Sequence, residues 1–339
     1  MKKLNSIIFI VILILSLNIF LVVQAEQPLY KFRMSGTHPV VGEATQKVNE
    51  VIEKINKETN GAIEITFYPA DQLGNYTVVY EEIMRGSIEM ALMSMPSEFD
   101  PKLDMIRLPY LLETYDDAGK TFSPNSFLFK NYSLVNKNLG ITLLGLWVEG
   151  FSGIAIGKSV REIPSDIFDP SIPKDIQLRV PPSDVFRLIG EAMGFRTTGI
   201  PWPEIYSSLQ TGIVEGYIGA PALICYEAFR DVVKAWLPAN YLVECMGILI
   251  NTKLYESLPE EFQKILSTNL QELATWSIDY AKRTDQEAIT NLRDYGIEII
   301  EPTPEQLHIL ASYVRDKVWP SQREILGDEI IEGIINDIK

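Results

Sequence analysis

Apolar positions along this chain follow two alternating rhythms. Tyr30 to Met34 reads as a short strand ending at Ser35-Gly36. Val41, Ala44, Val48, Val51, Ile52 and Ile55 then recur at three- and four-residue steps and stop at Asn60-Gly61, which predicts a helix. Ile63, Ile65 and Phe67 alternate with Glu64 and Thr66, the period of a half-buried strand. Pro69 to Gly74 predicts a turn, Thr77 to Arg85 a helix ended by Gly86, and Ile88 to Met93 a compact apolar strand. Strand and helix alternate over short links, the pattern of an α/β domain with a largely parallel sheet.

A second region repeats this style with different residues. Ile141 to Trp147 and Gly153 to Gly157 predict strands around a bend at Glu149-Gly150. Ile176 to Val180 predicts a buried strand stopped by Pro181-Pro182. Val185, Leu188, Ile189, Ala192 and Met193 form one helical face, Glu204 to Gly212 a second helix, and Ile213 to Ile218 a strand. Further on, Ser257 and Glu260 have capping-box spacing, and apolar residues continue from Phe262 to Leu292 until Gly296. Roughly 36 residues at about 1.5 Å each would make a rod of about 54 Å, longer than a small domain is wide. Thr303 to Gln306 caps a final helix, with Pro304 at its first position. The expected layout is two lobes joined by several crossings. Residues 26–147 with about 241–262 form lobe 1, and 148–240 with about 297–339 form lobe 2. A helix over 259–295 spans both.

The N-terminus has the layout of a secretory signal. Lys2 and Lys3 precede an apolar run from Ile7 to Val23, and Val23-Gln24-Ala25 suits a signal peptidase, so residues 1–25 are expected to be removed and Glu26 to lead the mature chain. The alternative is an uncleaved anchor, since about 20 apolar residues can span a bilayer. Either way the protein is expected outside the cytoplasmic membrane, in the periplasm. The chain carries 30 Lys and Arg against 45 Asp and Glu, a net charge of −15. Such a balance argues against a nucleic-acid partner. It permits an anionic ligand where a local cation concentrates positive charge. Cys225 and Cys245 are the only cysteines. They could pair in an oxidising compartment or remain as two buried thiols. His38 and His308 are the only histidines, and no spacing suits a zinc or calcium site.

Candidate chemistry is sparse. The chain has no Gly-x-Ser-x-Gly elbow, no His–Cys pair with a plausible partner and no phosphate-binding glycine loop. An exported hydrolase or isomerase is therefore disfavoured; no enzymatic role and no cofactor are expected. Arg179 stands out, because it lies in an apolar strand where prolines end it. At the C-terminal end of a strand in an open α/β sheet it would face the ligand crevice, and its planar fork suits a carboxylate. The alternative is an internal bridge to an acid such as Asp184.

Arg179-Val180-Pro181-Pro182-Ser183, Pro201-Trp202-Pro203-Glu204-Ile205-Tyr206 and Leu209-Gln210-Thr211-Gly212-Ile213-Val214-Glu215-Gly216 together resemble the central signature of DctP-type solute-binding proteins, which serve tripartite ATP-independent periplasmic (TRAP) transporters. Phe67 to Gly74, Arg85 to Ala91, Leu108 to Leu111 and Ser257 to Pro259 extend the likeness in order over nearly the whole mature chain. The resemblance implies a two-lobed periplasmic-binding-protein type II fold with a hinged cleft. It implies capture of a small organic anion there, and delivery to small and large membrane subunits. A second possibility is presentation of the bound ligand to a membrane receptor. Arg179 would pair with the carboxylate and Trp202 would pack on the ligand. The resemblance places Trp147, Glu149 and Phe151 in the segment that usually reads aromatic-Glu-x-Gly-Phe-Arg, and Gln72 and Tyr217 near cleft positions. Two departures stand out: Ser152 where many relatives have Arg, and Tyr217-Ile218-Gly219-Ala220-Pro221 where many have Gln-Glu-Asn-Pro. They point away from a dicarboxylate and toward a monocarboxylate with an apolar or hydroxylated body.

Overall fold

The computed structural model describes residues 29–338. The expected signal segment and its Ala25 cleavage point lie outside them. Eleven strands are present among these residues: β1 Tyr30–Gly36, β2 Ile63–Tyr68, β3 Met90–Met93, β4 Ile141–Phe151, β5 Ile154–Gly157, β6 Gln177–Val180, β7 Arg196–Gly199, β8 Gly216–Tyr217, β9 Val233–Leu237, β10 Val243–Asn251 and β11 Glu298–Ile299. The helices are α1 Glu43–Glu58, α2 Tyr76–Arg85, α3 Tyr115–Thr121, α4 Phe127–Asn138, α5 Asp184–Ala192, α6 Ile205–Thr211, α7 Ala222–Ile224, α8 Thr252–Ser257, α9 Glu260–Tyr295, α10 Pro304–Leu326 and α11 Asp328–Ile338.

The strands form two sheets, one in each lobe. The first has the order β2-β1-β3-β10-β4, the second β11-β9-β5-β8-β6-β7. In the first sheet β1 pairs parallel with β2 and β3, as the strand–helix alternation predicts. β10 then inserts antiparallel between β3 and β4, so the sheet is mixed. It does so because its chain returns from the second lobe. The alternation read from β2 is met, with Ile63 and Ile65 buried and Glu64 and Thr66 exposed. Helix α1 buries Ala44, Val48, Val51, Ile52 and Ile55. Val41, expected on the same face, precedes the helix and is 84% exposed.

In the second sheet β6 pairs parallel with β7 and β8, while β5 runs antiparallel to β8 and β9. The strand expected over 213–218 shrinks to Gly216–Tyr217. Gly212, at φ +74, turns the chain out of α6 and leaves Ile213 exposed. Cys225 and Cys245 are buried unpaired thiols in the core clusters of different lobes.

The chain passes from β4 to β5 through Ser152-Gly153 and back from β9 to β10 through 238–242. Ser152 N–H donates to Leu242 O at 2.9 Å, which ties the two crossings together. A β-carbon on Gly153 would meet the Trp236 ring at 2.3 Å and Leu237 O at 2.7 Å, so only glycine lets the crossings pack this closely.

The long helix α9 has 36 residues and ends at Gly296 with φ +96. Leu266, Leu270 and Leu273 pack with Trp147 and Met246 of the first lobe, and Ala288 and Leu292 pack with Tyr217 and Trp236 of the second. Its start differs from the expected capping box. Ser257 Oγ donates to Leu254 O inside α8, and Pro259 stands at the N-cap without a side-chain cap bond. The box at Thr303 and Gln306 is formed in both directions. Helix α10 packs Leu310, Val314 and Val318 on the second lobe. The chain after α10, expected in lobe 2 to residue 339, packs instead on the first lobe. Gly327 breaks the helix, and Ile331 and Ile334 of α11 pack on Leu128 and Phe129 of the first lobe. The amphipathic α11 finds its apolar cover there, and Asp337 Oδ2 accepts the N–H groups that open α4.

Candidate ligand-binding cleft

Parallel strands from both lobes end around one cavity of about 410 Å3, within the range of small-molecule pockets, about 300–1,000 Å3. From the first lobe come the segments after β1, β2 and β3. From the second come those after β6, β7 and β8. Glu149 of β4 and Glu244 to Met246 of β10 complete the wall beside the crossings. Carboxyl ends of strands are where open α/β sheets leave a crevice for ligands.

Arg179 is the third residue of β6 and only 1% exposed. Its Nε donates to Ile200 O at 2.8 Å and its Nη1 to Ile218 O at 3.2 Å. Among the described residues Nη2 donates to nothing, and the guanidinium forms no ion pair. Asp184, the alternative partner, sits at the start of α5 and pairs with Arg187 at 3.3 Å. Burial pulls the Arg179 pKa down to about 10, against the opposing effects of Tyr76, Tyr241, Glu244 and Tyr217. Gly219, at φ +95, carries the chain past this group, where a β-carbon would meet Pro181 at 2.8 Å. Trp202 opens the short turn after Pro201, and its ring centroid lies 5.7 Å from the Arg179 guanidinium carbon, within cation–π range. Both side chains line the cavity.

Glu149 also lines it, 3.0 Å from His38 Nε2. A bulge puts it there. Gly150 opposes Glu244 and Val148 opposes Cys245, so Glu149 is the extra, unpaired residue and the alternation of β4 breaks at that point. Trp147 stays in the sheet on the near side of the bulge. It is fully buried against His38, Trp276 and Tyr280, and touches only a separate void of about 20 Å3. Phe151 stacks edge-on against Tyr115 at 5.0 Å while its N–H donates to Asp285. Tyr217 lies in the second-lobe core, 5.0 Å from Phe229. Gln72 is exposed, and its neighbour Asp71 faces the cavity instead. Arg179, Trp202 and Glu149 thus meet at the cavity, while Trp147, Phe151, Tyr217 and Gln72 do not reach its wall.

Four wall residues were missed by the sequence reading. Arg107, at the end of the turn Pro101–Arg107, is a second buried cation. It bonds Asp104 at 2.8 Å and Met95 O at 3.0 Å. Burial opposes its charge, but Asp104, Tyr132 and Glu244 outweigh burial and hold its pKa above the ordinary value. Glu244 accepts from Ser152 Oγ at 2.7 Å, and burial pushes its carboxyl above the usual range. Burial alone raises Asp71 to about 6, and its Oδ1 has no partner. Tyr76 opens α2 from the first lobe and lies within the electrostatic reach of Arg179. A usable signal existed for two of them. Arg107 between Ile106 and Leu108, and Glu244 between Val243 and Cys245, are single charges in apolar runs, as Arg179 is.

The family model DctP, bacterial extracellular solute-binding protein, family 7, matches residues 34–319. The chain is 25% identical over 298 residues to the C4-dicarboxylate-binding periplasmic protein DctP of Rhodobacter capsulatus, covering 86% of this chain and 85% of that one. A TRAP periplasmic solute binding protein from Desulfovibrio salexigens, solved with bound orotic acid, matches with a TM-score of 0.82 at 21% identity, over 91% of this chain and 98% of its own. Another from Haemophilus influenzae, solved with bound L-gulonate, matches at 0.81 and 22% identity, over 91% and 100%.

Proposed function

The chain belongs to the bacterial extracellular solute-binding proteins of family 7, the DctP family, and from that premise we propose that it holds the carboxylate of a small organic monoacid on Arg179 in the periplasm and hands the acid to TRAP membrane subunits. The observation that carries this reading is a buried guanidinium at a ligand-sized cavity, with carbonyl oxygens as its only hydrogen-bond acceptors among the described residues. Burying an unpaired charge is costly. A drop in pKa from 12.5 to about 10 corresponds to about 3 kcal/mol. A carboxylate arriving at Nη2 and Nη1 would offset that cost with two charge-assisted hydrogen bonds. The named ligands of the relatives, a C4-dicarboxylate, orotic acid and L-gulonate, are all acids.

The mechanism is a change of shape. Arg179, Trp202 and the Gly219 loop belong to the second lobe, whereas Asp71, Asn75 and Tyr76 belong to the first. A ligand that touches both sets stabilises the closed arrangement over the open one, which shifts the population about the crossings at 152–153 and 238–242. The membrane subunits would then meet a closed, loaded protein. Native mass spectrometry of the protein purified from its host should release one small acid. Calorimetry should then show that acid binding at least about 100-fold more tightly than its neutral amide. Equal affinity for acid and amide would remove Arg179 from its assigned role.

A further inference from the structure

Four charged residues around the cleft, Asp71, Glu98, Arg179 and Glu244, have no ion-pair partner among the described residues. Arg107 pairs with Asp104 at 2.8 Å, and Glu149 lies 3.0 Å from the His38 imidazole. Glu98 is solvent-exposed. Arg179 has no counter-ion among the described residues, and neither has Glu244. Glu244 lies on β10 just past the crossing, with one oxygen held by Ser152 Oγ at 2.7 Å. Its other oxygen accepts no hydrogen bond among the described residues, and the side chain lines the same cavity as Arg179. Half-buried Asp71 adds another carboxyl to the wall, with Oδ1 unpartnered.

We propose that the ligand is a zwitterion, with its carboxylate on Arg179 and a protonated nitrogen on Glu244. This inference rests on the carboxylate reading above and specifies the other end of the same ligand. A dicarboxylate would bring its second charge toward Glu244 and Asp71, where like charges repel. A hydroxylated acid could donate to Glu244 but would leave the half-buried carboxylate with no direct ion-pair partner, since Arg107 and Arg179 act on it only from beyond salt-bridge distance. An ammonium or amidinium group satisfies the free oxygen and neutralises the charge in one contact. Ser152 keeps the carboxylate oriented, because its hydroxyl occupies one oxygen and leaves the other for the guest.

The test is calorimetry with matched probes of equal chain length: ω-amino acids of three to six carbons, the corresponding ω-hydroxy acids, dicarboxylic acids, and amines without a carboxylate. The amino acids should bind at least about 100-fold more tightly than their hydroxy and dicarboxylic counterparts. Glu244→Gln, shown by its melting curve to be folded, should reduce that preference to under about tenfold. A hydroxy acid or dicarboxylate that binds as tightly as the best amino acid would overturn the proposal, as would an unchanged preference in Glu244→Gln. Either outcome leaves the role of Arg179 standing. That role fails separately, if amines lacking a carboxylate bind as tightly as the amino acids.

Discussion

Two buried arginines face one cavity from opposite lobes, and they live in opposite electrostatic states. Arg107 is paired with Asp104 and bonded to two backbone carbonyls, and its pKa is held above the ordinary value. Arg179 has two carbonyls and an aromatic face, and burial pulls its pKa down to about 10. The same residue type at similar depth is thus a fastener in one lobe and a receptor in the other. What separates them is a single carboxylate three residues away. Asp104 lies one turn before Arg107, whereas Asp184, the nearest acid after Arg179, turns outward to Arg187. A buried cation is informative about ligands only after its internal partners have been counted.

Arg107→Met should strand a buried Asp104 and lower stability by about 3–5 kcal/mol in urea denaturation; a loss below about 1 kcal/mol would mean that Arg107 is not the fastener described. Asp104→Asn should make Arg107 resemble Arg179. A loss of about 2–3 kcal/mol is expected, together with a gain in dicarboxylate affinity by calorimetry, because the cleft would then hold two uncompensated cations. Trp202→Ala removes the ring beside Arg179 and should weaken acid binding by about 1–2 kcal/mol, roughly tenfold. An unchanged titration would return Trp202 to the packing against Phe229.

The smallest expected effect concerns Asp71. Its carboxyl, raised to about 6 by burial, is ionised at pH 7 and neutral at pH 5. The affinity of an acid that carries no basic group should therefore rise as pH falls through 6, by less than about tenfold. In Asp71→Asn the affinity should be flat across that window, and a persistent slope would assign the titration to another group.

Much of this was legible in the residues themselves. The period of α1, the alternation of β2, the length of α9 and the Gly-stopped helices follow from local physics, and so did the singular position of Arg179. Long-range facts were not legible. That β10 returns antiparallel through the middle of the first sheet depends on the chain crossing back from the second lobe. The bulge that turns Glu149 into the cavity, while Trp147 and Phe151 remain packed, depends on register with β10. Glu244 gains meaning only beside Ser152, 92 residues earlier. The capping-box spacing at Ser257 misled because α8 ends there and uses that hydroxyl itself. The last helix was assigned to the wrong lobe because its amphipathic face shows that it needs a cover, not which surface supplies one.

The central claim is that Arg179 is kept unpaired so that a guest can pair with it. The direct measurement is the melting temperature of Arg179→Met and the parent protein, each with and without a bound acid. Without ligand, the variant should melt at the same temperature or higher, because an uncompensated buried charge costing about 3 kcal/mol is gone. With saturating acid only the parent should gain stability. A variant that is destabilised when empty, yet still stabilised by the acid, would contradict the account.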